Sequence, residues 1–108
     1  MSQLEPASVV TLSDLVSIQE GSIVSRTLCK AAGGNQSLFA FAAGQGLSEH
    51  TAPFDATVQV LQGEALVTID GKEMTVAAGQ LVLMPANVPH ALKAEQSFVM
   101  LLTMLKQG

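Results

Sequence analysis

Short runs of apolar and β-favouring residues, some alternating with polar ones, fill most of the chain, and turn-forming residues break them at short intervals. The breaks fall at Glu20-Gly21, Gly33-Gly34-Asn35, Gly44-Gln45-Gly46, Gln62-Gly63, Asp70-Gly71, Gly79 and the stretch from Pro85 to Pro89. The runs between them are roughly 5–9 residues long, which suits strands and is too short for most helices. Many short strands with regular turns predict an all-β sandwich or barrel.

Three segments carry the pattern most clearly. Gln62 to Val76 reads as a hairpin closed by Asp70-Gly71, a pair that supplies the two positive-φ positions of a type I′ turn. Leu81 to Met84 is a β-rich run stopped by Pro85, which cannot donate to a ladder. Ser97 to Leu105 is apolar on both faces and is expected to be buried on both sides, by the barrel and by a partner copy. Nearer the N-terminus, Gly21 to Lys30 alternates as a strand, and Leu12 to Gln19 is compatible with a short helix opened by Thr11 or Ser13.

The two histidines lie in segments of special shape. Strand parity puts Ser48, His50 and Ala52 on one face, with Glu49 and Thr51 opposite. After Pro53 the set Ala56, Val58 and Val60 is expected to look inward. His90 follows a turn pinned by Pro85 and Pro89, with Asn87 between them as a residue that tolerates left-handed geometry.

These residues resemble the two motifs of the cupin superfamily. Gly79, Pro85 and His90 match the second motif, G-x5-P-x-G-x2-H-x3-N, with Asn87 at its second glycine and Ala94 at its closing Asn. His50 and Gly63 match the first, whose core is H-x-H-x(3 or 4)-E-x6-G. The resemblance implies a double-stranded β-helix (jelly-roll) barrel over about residues 36–106, preceded by an N-terminal strand, in a small single-domain protein of the cupin 2 type. It also implies a metal held by two His and a Glu of the first motif and the His of the second. In this sequence those four positions read His50, Ala52, Ala56 and His90, so two ligands are replaced by methyl groups.

Two imidazoles alone hold a divalent transition metal (Zn, Ni, Cu, Mn or Fe) weakly, whereas a catalytic metal usually keeps three protein ligands. Three readings follow. The chain binds a small molecule in the barrel beside an incomplete metal site at His50 and His90, with Phe54, Met84 and Met100 as apolar lining. Alternatively it is a metal-dependent dioxygenase or isomerase with an unconventional third ligand, for which a loop swinging Asp55 inward is one source. The third reading is a structural or regulatory dimer with a vestigial site. Phe39 and Phe41 are expected to pack the barrel, Glu49 and Asp55 to be solvated rim carboxylates, and Cys29 to be a buried small hydrophobe.

Composition narrows the partners. The 108 residues suit one domain, and only 13% of them are charged, which favours hiding surface in a homodimer. A net charge of −4, five scattered Lys and Arg, and four Phe with no Tyr or Trp argue against nucleic acid. The single cysteine cannot form an intrachain disulfide, no apolar run is long enough to span a membrane, and acidic Glu5 stands where a signal peptide is basic. The expected location is cytoplasmic.

Overall fold

The computed structural model describes residues 3–106, which form nine strands and one turn of 3-10 helix at Leu12–Asp14. The strands are β1 (Ile23–Ala31), β2 (Gly34–Phe41), β3 (Gly46–His50), β4 (Phe54–Gln62), β5 (Glu64–Ile69), β6 (Lys72–Ala77), β7 (Leu81–Met84), β8 (His90–Lys93) and β9 (Phe98–Lys106). They make two antiparallel sheets, ordered β1-β2-β9-β4-β7 and β3-β8-β5-β6. Non-sequential neighbours such as β2-β9 and β3-β8 mark strands that cross between the sheets, the winding of a jelly roll.

The inner faces follow from alternation. Phe41, Val58, Val60, Phe98 and Met100 from the five-stranded sheet pack against Ala65, Val67, Val76 and Leu92 from the four-stranded one. The rings of Phe41 and Phe98, opposite each other on β2 and β9, stack with centroids 4.5 Å apart. Phe39 and Phe41 share this inner face, and Ala56, Val58 and Val60 are all buried, as the alternation predicts. The β5–β6 hairpin turns through Asp70 at φ 51° and Gly71 at φ 80°, the two left-handed positions required of a type I′ turn.

Residues 3–22 contribute no strand; they run across the outer face of the five-stranded sheet. The Leu4 amide donates to the Leu28 carbonyl at 2.8 Å, and the 3-10 turn lies beside Leu61 and Val99. Leu28, Leu38, Ala40 and Val99 are thereby buried outside the main core. The helix expected over Leu12 to Gln19 shortens to one turn, because Thr11 makes no side-chain cap and no buried residue anchors the turn. Cys29 corrects the sequence reading, since it is exposed. A bulge between Thr27 and Cys29 sets Cys29 opposite Gln36 on an edge strand, with its thiol 3.7 Å from Gln36 Oε1, while Leu28 is buried beneath the N-terminal segment.

β9 lies between β2 and β4, so its two edges are paired within the chain. Phe98, Val99 and Met100 are buried on both faces by the chain itself, and only its end at Leu105 opens to solvent. The exposed apolar side chains of the strands are instead Leu81 (59%), Leu83 (55%) and Leu105 (50%). Among the described residues no helix is long and apolar enough to cross a membrane.

Candidate functional site

His50 ends β3 and His90 opens β8, and the two residues are direct partners in the β3–β8 ladder. Their approach depends on an irregularity. Leu47 pairs with Leu92 and His50 with His90, so Ser48 and Glu49 together oppose the single residue Ala91. In a regular strand, alternation from inward-facing Leu47 would turn His50 outward; the bulge returns it to the inner face. The bulge corrects the simple parity of the sequence. Ser48 lines a cleft of about 400 Å3 on the outer face, with Thr68, Glu73, Ala91 and Lys93, while His50 reaches inward to His90.

His90 is placed by the turn before it. Asn87 takes φ 65°, the left-handed geometry its position between the prolines predicts. The turn is tied at both ends: the Asn87 amide donates to the Ala52 carbonyl and the Asp70 amide to the Pro89 carbonyl, each at 2.8 Å. The ring of His90 is buried at 6% exposure, whereas His50 is exposed at the rim.

The hydrogen bonds fix which nitrogens carry protons. His50 Nδ1 lies 2.7 Å from the Ser48 carbonyl oxygen, and His90 Nδ1 lies 3.1 Å from that of Val88. A carbonyl oxygen only accepts, so each Nδ1 is the donor and each neutral ring leaves Nε2 as an acceptor. Those two Nε2 atoms face each other at 3.1 Å, with ring centroids 4.4 Å apart and planes at 71°. Two lone pairs at that distance call for something positive or hydrogen-bearing between them. Burial holds the pKa of His90 below its ordinary value; the Val88 carbonyl opposes this and the neighbouring His50 adds to it.

The other residues named from sequence fall at different depths. Phe54 opens β4, half-buried, on the same face as Ala56, and Met84 is buried opposite Ala56 at the end of β7. Both lie at the histidine end. Met100 pairs with Val60 and Phe39, four residues along β9 from Met104, and so sits about 13 Å down the strand from the level of Ala56. Its place is in the packed core. Asp55 is part of β4 and accepts the Ala86 amide on Oδ1 at 2.9 Å, so it is neither a swung-in ligand nor a solvated rim carboxylate. Among the described residues no three His, Cys, Asp or Glu side chains gather as a metal would need.

The chain has clear relatives. A cupin-domain family profile matches residues 37–105. A conserved protein of unknown function from Streptococcus pyogenes is 39% identical and superposes with a TM-score of 0.91, covering 100% of this chain and 97% of that one. A cupin 2 conserved barrel domain protein from Leptotrichia buccalis is 42% identical with a TM-score of 0.85, over 88% of this chain and 46% of that one. A cupin superfamily protein from Desulfitobacterium hafniense is 28% identical with a TM-score of 0.89, over 98% and 97%. No protein of curated function matches.

Proposed function

The chain belongs to the cupin family, and from that premise we propose that it binds a small molecule at the histidine end of the barrel, oriented by His50 and His90. One observation carries the reading: two Nε2 acceptors, fixed by backbone carbonyls, converge at 3.1 Å. A hydroxyl, ammonium or amide group of a ligand supplies the hydrogens that such a pair lacks, and an anion is received only once the pair is protonated. Phe54, Met84 and Met104 give the same end apolar surface for the rest of the ligand. The chemistry such a pair offers a bound group is proton exchange.

A thermal-shift screen of small hydroxylated and amino metabolites tests this. A ligand raises the melting temperature in proportion to ln(1 + [L]/Kd). The expected result is stabilisation in the wild type that disappears in His90→Ala. Stabilisation that survives both His50→Ala and His90→Ala would overturn the reading.

A divalent transition metal is the second reading, favoured by the donor set itself. Each ring has its distal nitrogen oriented by a backbone carbonyl, the support that metal-binding imidazoles ordinarily have. His50 and His90 would hold the ion, and Ala52 and Ala56 leave its other positions to water or ligand. Such an ion polarises a bound oxygen as a Lewis acid. Elemental analysis of protein purified without a polyhistidine tag decides between the readings. Stoichiometric Zn, Ni, Cu, Mn or Fe lost in His90→Ala supports the metal; absence of metal, with no thermal shift on adding these ions, rejects it.

We also propose that a second copy of the chain covers the outer face at Leu81, Leu83 and Leu105, whose exposure is high for a chain of so few charges.

A further inference from the structure

The ladder between β4 and β7 runs from Gln59–Leu81 to Ala56–Met84 and stops at Pro85. The Val60 amide bonds the Gln80 carbonyl in the same register, and hydrogen-bonded pairs recur every second residue, so the next ladder bond after Met84 falls to the Ala86 amide. The chain must leave the sheet in one direction, because residues 85–89 cross to the other sheet and deliver His90. What accepts the Ala86 amide is a side chain. Asp55, one residue before Ala56, accepts the Ala86 amide on Oδ1 at 2.9 Å, across 31 positions of sequence. Beside it the Asn87 amide donates to the Ala52 carbonyl, which lies two residues beyond His50. The segment after His50 and the turn before His90 are therefore fastened to one another directly.

We propose that Asp55 is the positioning residue of the histidine pair. Its carboxylate takes the Ala86 amide in place of a backbone carbonyl of β4, sets the direction of the 85–89 turn, and so holds His90 Nε2 against His50 Nε2. Asp55 acts through the Ala86 amide. The role matters for function only insofar as the pair is the binding site, so it rests on the reading above. The contact it fixes exists in the ligand-free chain, where it can be measured separately.

The acceptor, and not the charge, does this work, which distinguishes the proposal from a ligand or electrostatic role for the same carboxylate. Asn has an oxygen in the same place and accepts the same bond; Ala does not. The experiment compares wild type, Asp55→Asn and Asp55→Ala without ligand, by imidazole NMR at one pH above 7.5. The two rings, with centroids 4.4 Å apart, give a nuclear Overhauser contact in the wild type. Asp55→Asn is expected to keep that contact and the ring nitrogen shifts of both histidines. Asp55→Ala is expected to lose the contact and shift both rings, while the amides of the β5–β6 hairpin beyond Asp70 stay in place. If Asp55→Ala does not fold, Asp55→Ser, whose hydroxyl is too short to span the same distance, is read in the same way. An unchanged ring contact in the Ala or Ser variant overturns the proposal, and so does its loss in a folded Asp55→Asn. Neither result bears on whether a ligand binds, which the metabolite screen decides.

Discussion

His50 Nε2 and His90 Nε2 lie 3.1 Å apart, each ring already donating its Nδ1 hydrogen to the carbonyl two residues before it. The symmetry is in the backbone: Ser48 serves His50 as Val88 serves His90, although one histidine ends a strand and the other begins one. The pair is thus held as two acceptors by its own local chain. In the neutral protein, long-range nitrogen–proton correlation is expected to show both rings protonated at Nδ1 and bare at Nε2. A ring found with the opposite tautomer would mean that the carbonyl contacts do not govern the site.

Stability is expected to depend on pH through His90. Its folded pKa lies below that of the unfolded chain, burial being the main cause. Below about pH 6.5 the unfolded chain takes up a proton that the folded chain resists. The contribution is therefore fully present above about pH 6.5 and is lost as pH falls towards and through the folded value. Urea unfolding at a series of pH values from 8 down to well below about 6.5 checks this, with His90→Gln expected to flatten the acid side of the profile.

Gly63, between β4 and β5, has φ 74°, and a Cβ there would run into the Ser97 carbonyl oxygen and the Phe98 backbone. Gly63→Ala therefore meets both a disfavoured conformation and an unyielding neighbour. We expect a loss of about 2–4 kcal/mol, which at about 4–8 °C per kcal/mol is readily seen in a thermal melt. Gly79→Ala, also at positive φ (86°) but with nothing near its added Cβ, should cost clearly less.

If a second copy covers the outer face, light scattering at micromolar concentration gives a dimer mass. Leu81→Lys with Leu83→Lys is then expected to shift the mass toward the monomer without altering the fold, since both side chains already stand at more than half exposure. A monomeric wild type removes the proposal.

What the sequence disclosed was local. Asp70-Gly71 announces its turn because both φ angles are decided within two residues. Asn87 between prolines announces its left-handed geometry for the same reason. The inward set Ala56, Val58 and Val60 could be read because a regular strand keeps its parity. The histidine pair was found through motif spacing alone, and its likeness to the cupin motifs supplied the convergence that periodicity could not.

The rest was hidden in register. Ser48 and His50 separate onto different faces because one residue is added to β3 against β8, and only the joint demand that Leu47 and His50 both face inward hints at it. Cys29 is exposed because a similar slip occurs between Thr27 and its own position. Met100 shares a face with Met104 but not its depth, which depends on how β9 pairs with β4. The role of Asp55 requires knowing that it stands beside Pro85, a neighbour 30 positions away, and nothing local to either residue says so.

The extra residue in β3 has a consequence for how the site can be altered. Shortening β3 by one position at Glu49 would set Leu47, Ser48 and His50 against Leu92, Ala91 and His90 in an unbroken ladder, with His50 still on the inner face. Pairing the full-length strand without the bulge would instead bring Glu49 against His90 and turn His50 to solvent, with both histidines still present. The site is therefore encoded as much in the register of the strand as in its chemistry, and a slip of one position can silence it where no histidine has been changed.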